Sequence, residues 1–454
     1  MASFIFLWHT FLHYLCTLYH IFSYSESKRS SEDIFMPEIQ TNNLVDHGQL
    51  KIQVTSGQRS VPIPNATIEI SYTGDPDSVL ETVSTDENGQ TPVVDLPAPP
   101  VEYSMSPSEN QPYSEYNLKI HSDEYKPVTI SGAQILSGVE GLQPVSMIPE
   151  ETHTPTEEHP IVIGPHTLWG NYPPKIAESE IKPVNESGEI VLSRVVIPEY
   201  IIVHDGPVGD KTAQNYYVRY KDYIKNVAAC EIYSTWPRAT LEANILAIMS
   251  FTLNRVYTEW YRNKGHDFTI TSSTAYDHKF IPGKTTYNSI NTIVDEIFAD
   301  YLSRPNVRQP ILTQYCDGKK VSCPEWMTQW GSKYLGDQGY APIEILRYYY
   351  GESMYINTAE QISGIPSSWP GYDLTIGSRG DKVRQIQQQL NRIAKDYPSL
   401  PTIAVDGVYG ESTANAVRKF QNIFGLPQTG IVDYPTWYKL SEIYVGVSRI
   451  AELN

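Results

Sequence analysis

The run Gly377-Ser-Arg-Gly-Asp-Lys-Val383, followed by Val405-Asp-Gly-Val-Tyr-Gly410, Thr413-Ala-Asn-Ala-Val417, Phe420-Gln421, Gly425-Leu426, Thr429-Gly-Ile-Val-Asp433 and Thr436-Trp437, decides the fold of the last part of the chain. Val383, Ile386, Leu390 and Ile393 recur on one face of a helix, and Ala416, Val417, Phe420 and Phe424 on a second. Ser412 and Thr413 are cap candidates for the second helix, and Pro435 opens a short third one holding Trp437 and Leu440. Gly407, Gly410 and Gly430 allow the tight turns that join three short helices.

Over about 70 residues these positions resemble the peptidoglycan-binding-domain-1 family, which implies a small helical module that binds the bacterial cell wall. The glycines and apolar positions serve the fold. Asp406, Tyr409 and Trp437 are the candidates for exposed contacts with the glycan.

The whole chain has 454 residues, too many for a single core. Its 40% hydrophobic and 19% charged residues mark ordinary folded protein, and 34 basic against 52 acidic side chains give a net charge of -18. That balance argues against nucleic acid or anionic lipid as a partner, since both require a positive footprint. The 33 tyrosines suit stacking on sugar faces, although a half-buried packing role is the commoner one.

Two linker-like stretches divide the chain. Residues 149–160 are rich in Pro, Thr and charge, and 363–371 read Ser-Gly-Ile-Pro-Ser-Ser-Trp-Pro-Gly. The expected organisation is an apolar or disordered segment at 1–47, a β-sandwich spacer at 48–148, an α+β domain at 161–362 and the wall-binding module at 372–446. Leu50–Val54, Ala66–Ser71 and Tyr116–Ile120 alternate as strands, with turn clusters at Thr73–Asp77 and Asp86–Gly89. This order resembles carboxypeptidase-regulatory or transthyretin-like sandwiches, implying an antiparallel sandwich without chemistry of its own. In the middle region Gly188–Leu192 and Tyr200–Val203 read as strands. Tyr223, Ile224, Val227 and Ala228, then Leu241, Ile245, Ile248, Met249 and Leu253, read as helices, with Pro237 placed to open the second.

The apolar run Phe4–Tyr24 suits an export signal or an anchor, yet its positive charges, Lys28 and Arg29, follow it, so Met36 remains an alternative start. Of Cys16, Cys230, Cys316 and Cys323, only the last two are close enough in sequence to pair, as a disulfide or as two free thiols. Scattered histidines lack metal-ligand spacing, and no metal or cofactor is expected.

The middle region also contains Val227-Ala-Ala-Cys-Glu231, Trp236-Pro237, Ile311-Leu-Thr-Gln-Tyr-Cys316, Met327-Thr-Gln-Trp-Gly-Ser332 and Tyr348-Tyr-Tyr-Gly351. Their order and spacing resemble the SpoIID/LytB family of sporulation and cell-division wall enzymes. The resemblance implies that Glu231 is the general acid that cleaves glycan strands, with Trp236, Gln329 and Trp330 shaping the cleft. One carboxyl beside the leaving oxygen suits lytic transglycosylation, in which a hydroxyl of the sugar attacks in place of water. The competing reading pairs Glu231 with a base such as Lys225 at a helix end. Glu242, Asn244 and Met249 depart from the family's usual polar or basic residues, which keeps open a non-catalytic wall binder or an activator of a partner wall hydrolase. The expected location is the cell wall, outside the cell or on a spore surface, where a weak wall binder concentrates its neighbouring domain on the polymer.

Overall fold

The computed structural model describes residues 46–57, 60–150, 160–182 and 194–448. The apolar run Phe4–Tyr24, Cys16, Lys28, Arg29 and Met36, the expected strand Gly188–Leu192, and most of the linker at 149–160 lie outside the described residues.

The N-terminal strands are β1 (Asp46–Ser56), β2 (Val61–Pro62), β3 (Thr67–Tyr72), β4 (Asp75–Ser84), β5 (Val94–Ala98), β6 (Ser114–His121), β7 (Val128–Ile135), β8 (Glu140–Met147) and β9 (Ile161–Val162), with a single-turn helix α1 (Glu102–Met105) between β5 and β6. Alternation in β1 buries Leu50, Ile52 and Val54, which share one core with Ile68 and Ile70 of β3 and Leu118 and Ile120 of β6. Two sheets result. In one, β8, β1 and β2 are neighbours and β5 also pairs with β1; the other runs β4-β3-β6-β7-β9.

The sandwich is not purely antiparallel, as the alternation alone had implied. β1 pairs parallel with β8, Leu50 opposite Gly141, and β7 pairs parallel with β9. The reason lies in connectivity: β8 returns from the opposite sheet and not through a hairpin, so its direction relative to β1 is free. Nor is the sandwich closed within its own stretch of sequence. β14 (Thr286–Tyr287), from the middle of the chain, pairs with the outer edge of β8.

Between β9 and β14 lie β10 (Val196–Ile197), β11 (Tyr200–His204), β12 (Asn215–Arg219) and β13 (Ile270–Thr271), with helices α2 (Tyr220–Glu231) and α3 (Arg238–Tyr257). Both helices are buried on nearly every side, and Pro237 occupies the N-cap of α3, one position ahead of its first turn. Beyond β14 come α4 (Asn288–Ile297), α5 (Gln329–Asp337) and α6 (Pro342–Tyr350). The C-terminal helices are α7 (Asp381–Ile393), α8 (Glu411–Ile423) and α9 (Tyr434–Ser448). Val383, Ile386, Leu390, Ala416, Val417 and Phe420 are buried, as their periodicity requires.

Two local details differ from expectation. Gly410 caps α8 in extended backbone, while Ser412 and Thr413 sit inside its first turn, where the Thr413 hydroxyl accepts a hydrogen bond from Gln387 Nε2 (3.2 Å). The third helix is not short. It runs 15 residues, Tyr434–Ser448. Gly407 (φ 73°) and Gly430 (φ 71°) do take left-handed backbone, and a Cβ at Gly430 would stand 2.8 Å from Arg418 Nε.

The described residues form one compact unit. The C-terminal helices share a continuous apolar core with the middle region. They are also joined to it by a buried ionic cluster: Lys221 of α2 reaches Asp295 of α4 (3.1 Å) and Glu442 of α9 (2.6 Å), Lys225 reaches the other oxygen of Asp295 (2.7 Å), and Lys439 reaches Glu442 (3.2 Å). Burial alone would raise the Asp295 carboxyl, but Lys221 and Lys225 outweigh it and hold that group well below the usual carboxylate range. The sandwich is joined as well, through Gln90 Nε2 to the Ile423 carbonyl (2.6 Å), Tyr397 Oη to the Ser60 carbonyl (2.6 Å) and Trp236 Nε1 to the Ser104 carbonyl (2.8 Å).

Replacing Asp295 by Ala leaves two buried ammonium groups without their shared anion and is expected to cost about 3–5 kcal/mol near neutral pH. A group whose folded pKa is depressed stabilises above its unfolded value, about 4 for Asp, and loses that contribution as pH falls below it. Denaturant unfolding of wild type and Asp295→Asn should therefore show a gap at pH 7 that narrows at pH 3.

Candidate functional site

Glu231 is the last residue of α2 and is only 3% exposed. The apolar faces of α2 lock the helix into the core, so its C-terminal end is held in place and the carboxylate is fixed under the loops that follow β9 and β13. Lys279 donates its backbone N–H to Oε1 (2.9 Å), while Gln329 Nε2 (3.2 Å) and Thr167 Oγ1 (3.3 Å) donate to Oε2. Gln329 Nε2 also donates to the Glu231 carbonyl (2.7 Å). Two of the residues expected from the sequence are thus brought together across a long stretch of chain. Lys225, the base set against Glu231 in the competing reading, pairs with Asp295 instead.

The carboxylate lines a half-open pocket of about 50 Å³ together with Thr167, Tyr172, Lys175, Tyr315, Asp317 and Gln329. That volume suits one or two waters or a single substrate oxygen, not a whole sugar ring. Lys175 donates to the Asp277 carbonyl (2.8 Å) and lies 4.0 Å from the centre of the Tyr315 ring. Burial lowers the Lys175 ammonium, with the Glu231 and Asp277 carboxylates pulling the other way. Burial and the Glu231 charge push the Tyr315 hydroxyl well above its ordinary value, so it stays protonated. Burial does the same for Tyr172, helped by Cys230 and Glu231.

One wall of the pocket is a loop closed by a disulfide between Cys316 and Cys323, which resolves the two states left open by the sequence. Within it the Asp317 carboxylate accepts the backbone N–H groups of Lys320 (2.6 Å) and Val321 (2.8 Å), and Lys320 Nζ reaches across to the Trp169 and Gly170 carbonyls. Cys230 is free and buried, and burial pushes its thiol up to about 11, the state of a small core residue.

The remaining expected residues lie elsewhere. Trp236 and Trp330 pack on each other (ring centres 5.0 Å apart) and against Tyr233, and neither lines the pocket. Tyr409 and Trp437, expected as exposed contacts, are each 1% exposed: Tyr409 Oη donates to the Gly430 carbonyl (2.8 Å) and Trp437 Nε1 to the Ser367 carbonyl (3.0 Å). Their polar tips are consumed in holding turns, because a buried Tyr or Trp needs a partner for its O–H or N–H. Asp406 is exposed; its carboxylate accepts the Val408 N–H (2.8 Å) and Gln387 Nε2 (3.0 Å). Tyr172, Lys175 and Thr167 carried no signal in the sequence, whereas Tyr315 sat in the quoted stretch beside Cys316.

Residues 379–440 match the family described as putative peptidoglycan binding domain. The zinc D-Ala-D-Ala carboxypeptidase of Streptomyces albus G is 38% identical over 77 residues, which is 17% of this chain and 28% of that protein. Among solved structures, the SleB N-terminal domain is 31% identical over 17% of this chain and 99% of its own length, with a TM-score of 0.15. GBS52, the minor pilin of Streptococcus agalactiae, is 11% identical over 25% of this chain and 49% of its own, with a TM-score of 0.17. By the family match at 379–440, the C-terminal helices form a peptidoglycan-binding module, and that module associates the chain with the cell wall. Among the described residues no helix is long and apolar enough to cross a membrane.

The disulfide is expected to stabilise the protein by about 2–3 kcal/mol through loop closure. The double variant Cys316→Ser, Cys323→Ser should show that loss in denaturant unfolding, together with faster backbone hydrogen exchange across residues 317–322.

Proposed function

We propose that this protein binds peptidoglycan through its C-terminal helices and cleaves glycan strands at Glu231, as a lytic-transglycosylase-like enzyme of the SpoIID/LytB type with a role in sporulation. The observation that carries the reading is the convergence of Glu231 and Gln329 in one pocket, two of the four residues that the motif order singled out. In the cleavage, the protonated Glu231 carboxyl gives its proton to the glycosidic oxygen as the bond to the anomeric carbon breaks. The C6 hydroxyl of the same sugar then attacks that carbon and returns its proton to the carboxylate, so the enzyme ends as it began. The sandwich is a spacer in this reading, and Asp406 is the contact residue in the module.

A second reading, a non-catalytic wall binder or an activator of a partner hydrolase, is favoured by the small pocket and by the burial of both tryptophans expected to shape a cleft. Incubation with purified sacculi, followed by mass spectrometry for anhydro-muropeptides, separates the two. Cleavage requires that wild type release them and that Glu231→Gln drop release by about 100-fold or more while still co-sedimenting with sacculi. Clear co-sedimentation without products from wild type selects the second reading.

A further inference from the structure

Lys284, just ahead of β14, is 1% exposed, and among the described residues no carboxylate lies within ion-pair distance of it. Its Nζ instead reaches Oε1 of Gln134 on β7, a side chain fully closed to water. A buried ammonium that meets only an amide is costly, and such a site favours the neutral amine. Burial accordingly lowers the Lys284 amine to about 8, with Cys230 and Glu115 pulling the other way. The amide is held on its other side, where Gln134 Nε2 donates to the Gly164 carbonyl (3.0 Å). Glu115 stands directly opposite Gln134 on β6, so the two side chains share one face of the sheet. Burial raises the Glu115 carboxyl, and the Lys284 charge opposes that rise. An amine, a carboxamide and a carboxyl are thus gathered on one side of the sandwich, the first two out of reach of water.

We infer that Lys284 and Gln134 become joined by an intramolecular isopeptide bond, which ties the segment leading into β14 to the sandwich. The lone pair on Nζ of the neutral amine attacks Gln134 Cδ and forms the new C–N bond. The bond from Cδ to Nε2 then breaks, and Nε2 leaves as ammonia with the proton that Nζ gives up. Glu115 relays that proton between the two nitrogens. No oxidant, reductant or cofactor enters, and the net change is the loss of one ammonia. The fold supplies the driving features. It holds nucleophile and amide in contact, and the product replaces a buried amine by a neutral amide that needs no counter-charge. The bond spans 150 positions of sequence, so it restricts the unfolded chain across both the sandwich and the middle region.

The test is peptide mapping by mass spectrometry on the full-length protein after reduction and denaturation. Wild type should give a branched peptide that joins the segments containing Lys284 and Gln134, about 17 Da lighter than their sum. Lys284→Met keeps a long side chain in the core and removes the nucleophile. It should lack the branch and melt at a lower temperature, yet still co-sediment with sacculi. Glu115→Gln should slow branch formation by about 100-fold, the order expected for one proton-transfer group. Cys230→Ser should form the branch as wild type does, although Cys230 lies close enough to act on the Lys284 charge. Recovery of Lys284 and Gln134 from wild type in separate, unmodified peptides overturns the inference. So does an ammonia loss that survives Lys284→Met and disappears in Cys230→Ser, which marks a thioester to the buried thiol instead. Branch formation at the wild-type rate in Glu115→Gln overturns the relay step.

Discussion

Asp295 is the constraint on which much of the arrangement depends. A carboxylate with almost no access to water is tolerable only with its charge matched, and here it lies between Lys221 and Lys225 one helical turn apart on α2. Lys221 in turn binds Glu442 on α9, so these three ion pairs fix three helices from regions far apart in sequence. The apolar contacts around them supply the bulk of the burial but little register, since hydrophobic attraction has no direction. The ion pairs have direction, and they hold α9 in one orientation against α2.

That orientation matters because α2 also carries the candidate carboxylate, Glu231, at its end. The helix thus has its charged flank turned to the C-terminal module and its terminus in the pocket. A wall-binding module docked on it in a fixed pose presents the polymer to the rest of the chain from one direction only, which differs from a module on a free linker, where only local concentration rises. The sandwich adds a third rigid neighbour through Gln90, Tyr397 and Trp236.

Within the pocket, the polar groups largely satisfy one another. Gln329 satisfies both the side chain and the carbonyl of Glu231, which keeps the carboxylate on one rotamer and uses up a donor that a substrate would otherwise meet.

The helices of the C-terminal module and the first strands of the sandwich were legible from residue order, because periodicity and turn glycines are local signals. The roles of Trp236, Tyr409 and Trp437 were not. An aromatic side chain reads alike whether its polar tip faces a sugar or a backbone carbonyl, and only the packed structure shows the carbonyls of Ser104, Gly430 and Ser367 in place. The parallel pairing of β1 with β8, the strand lent by residues 286–287 and the ionic seam at Asp295 were likewise invisible, since each joins segments whose local patterns say nothing about one another. The sequence by itself determined the strands that open the sandwich and the helices of the C-terminal module. Tertiary structure decided what those segments touch, because burial and charge pairing are properties of neighbours in space and not of neighbours in the chain.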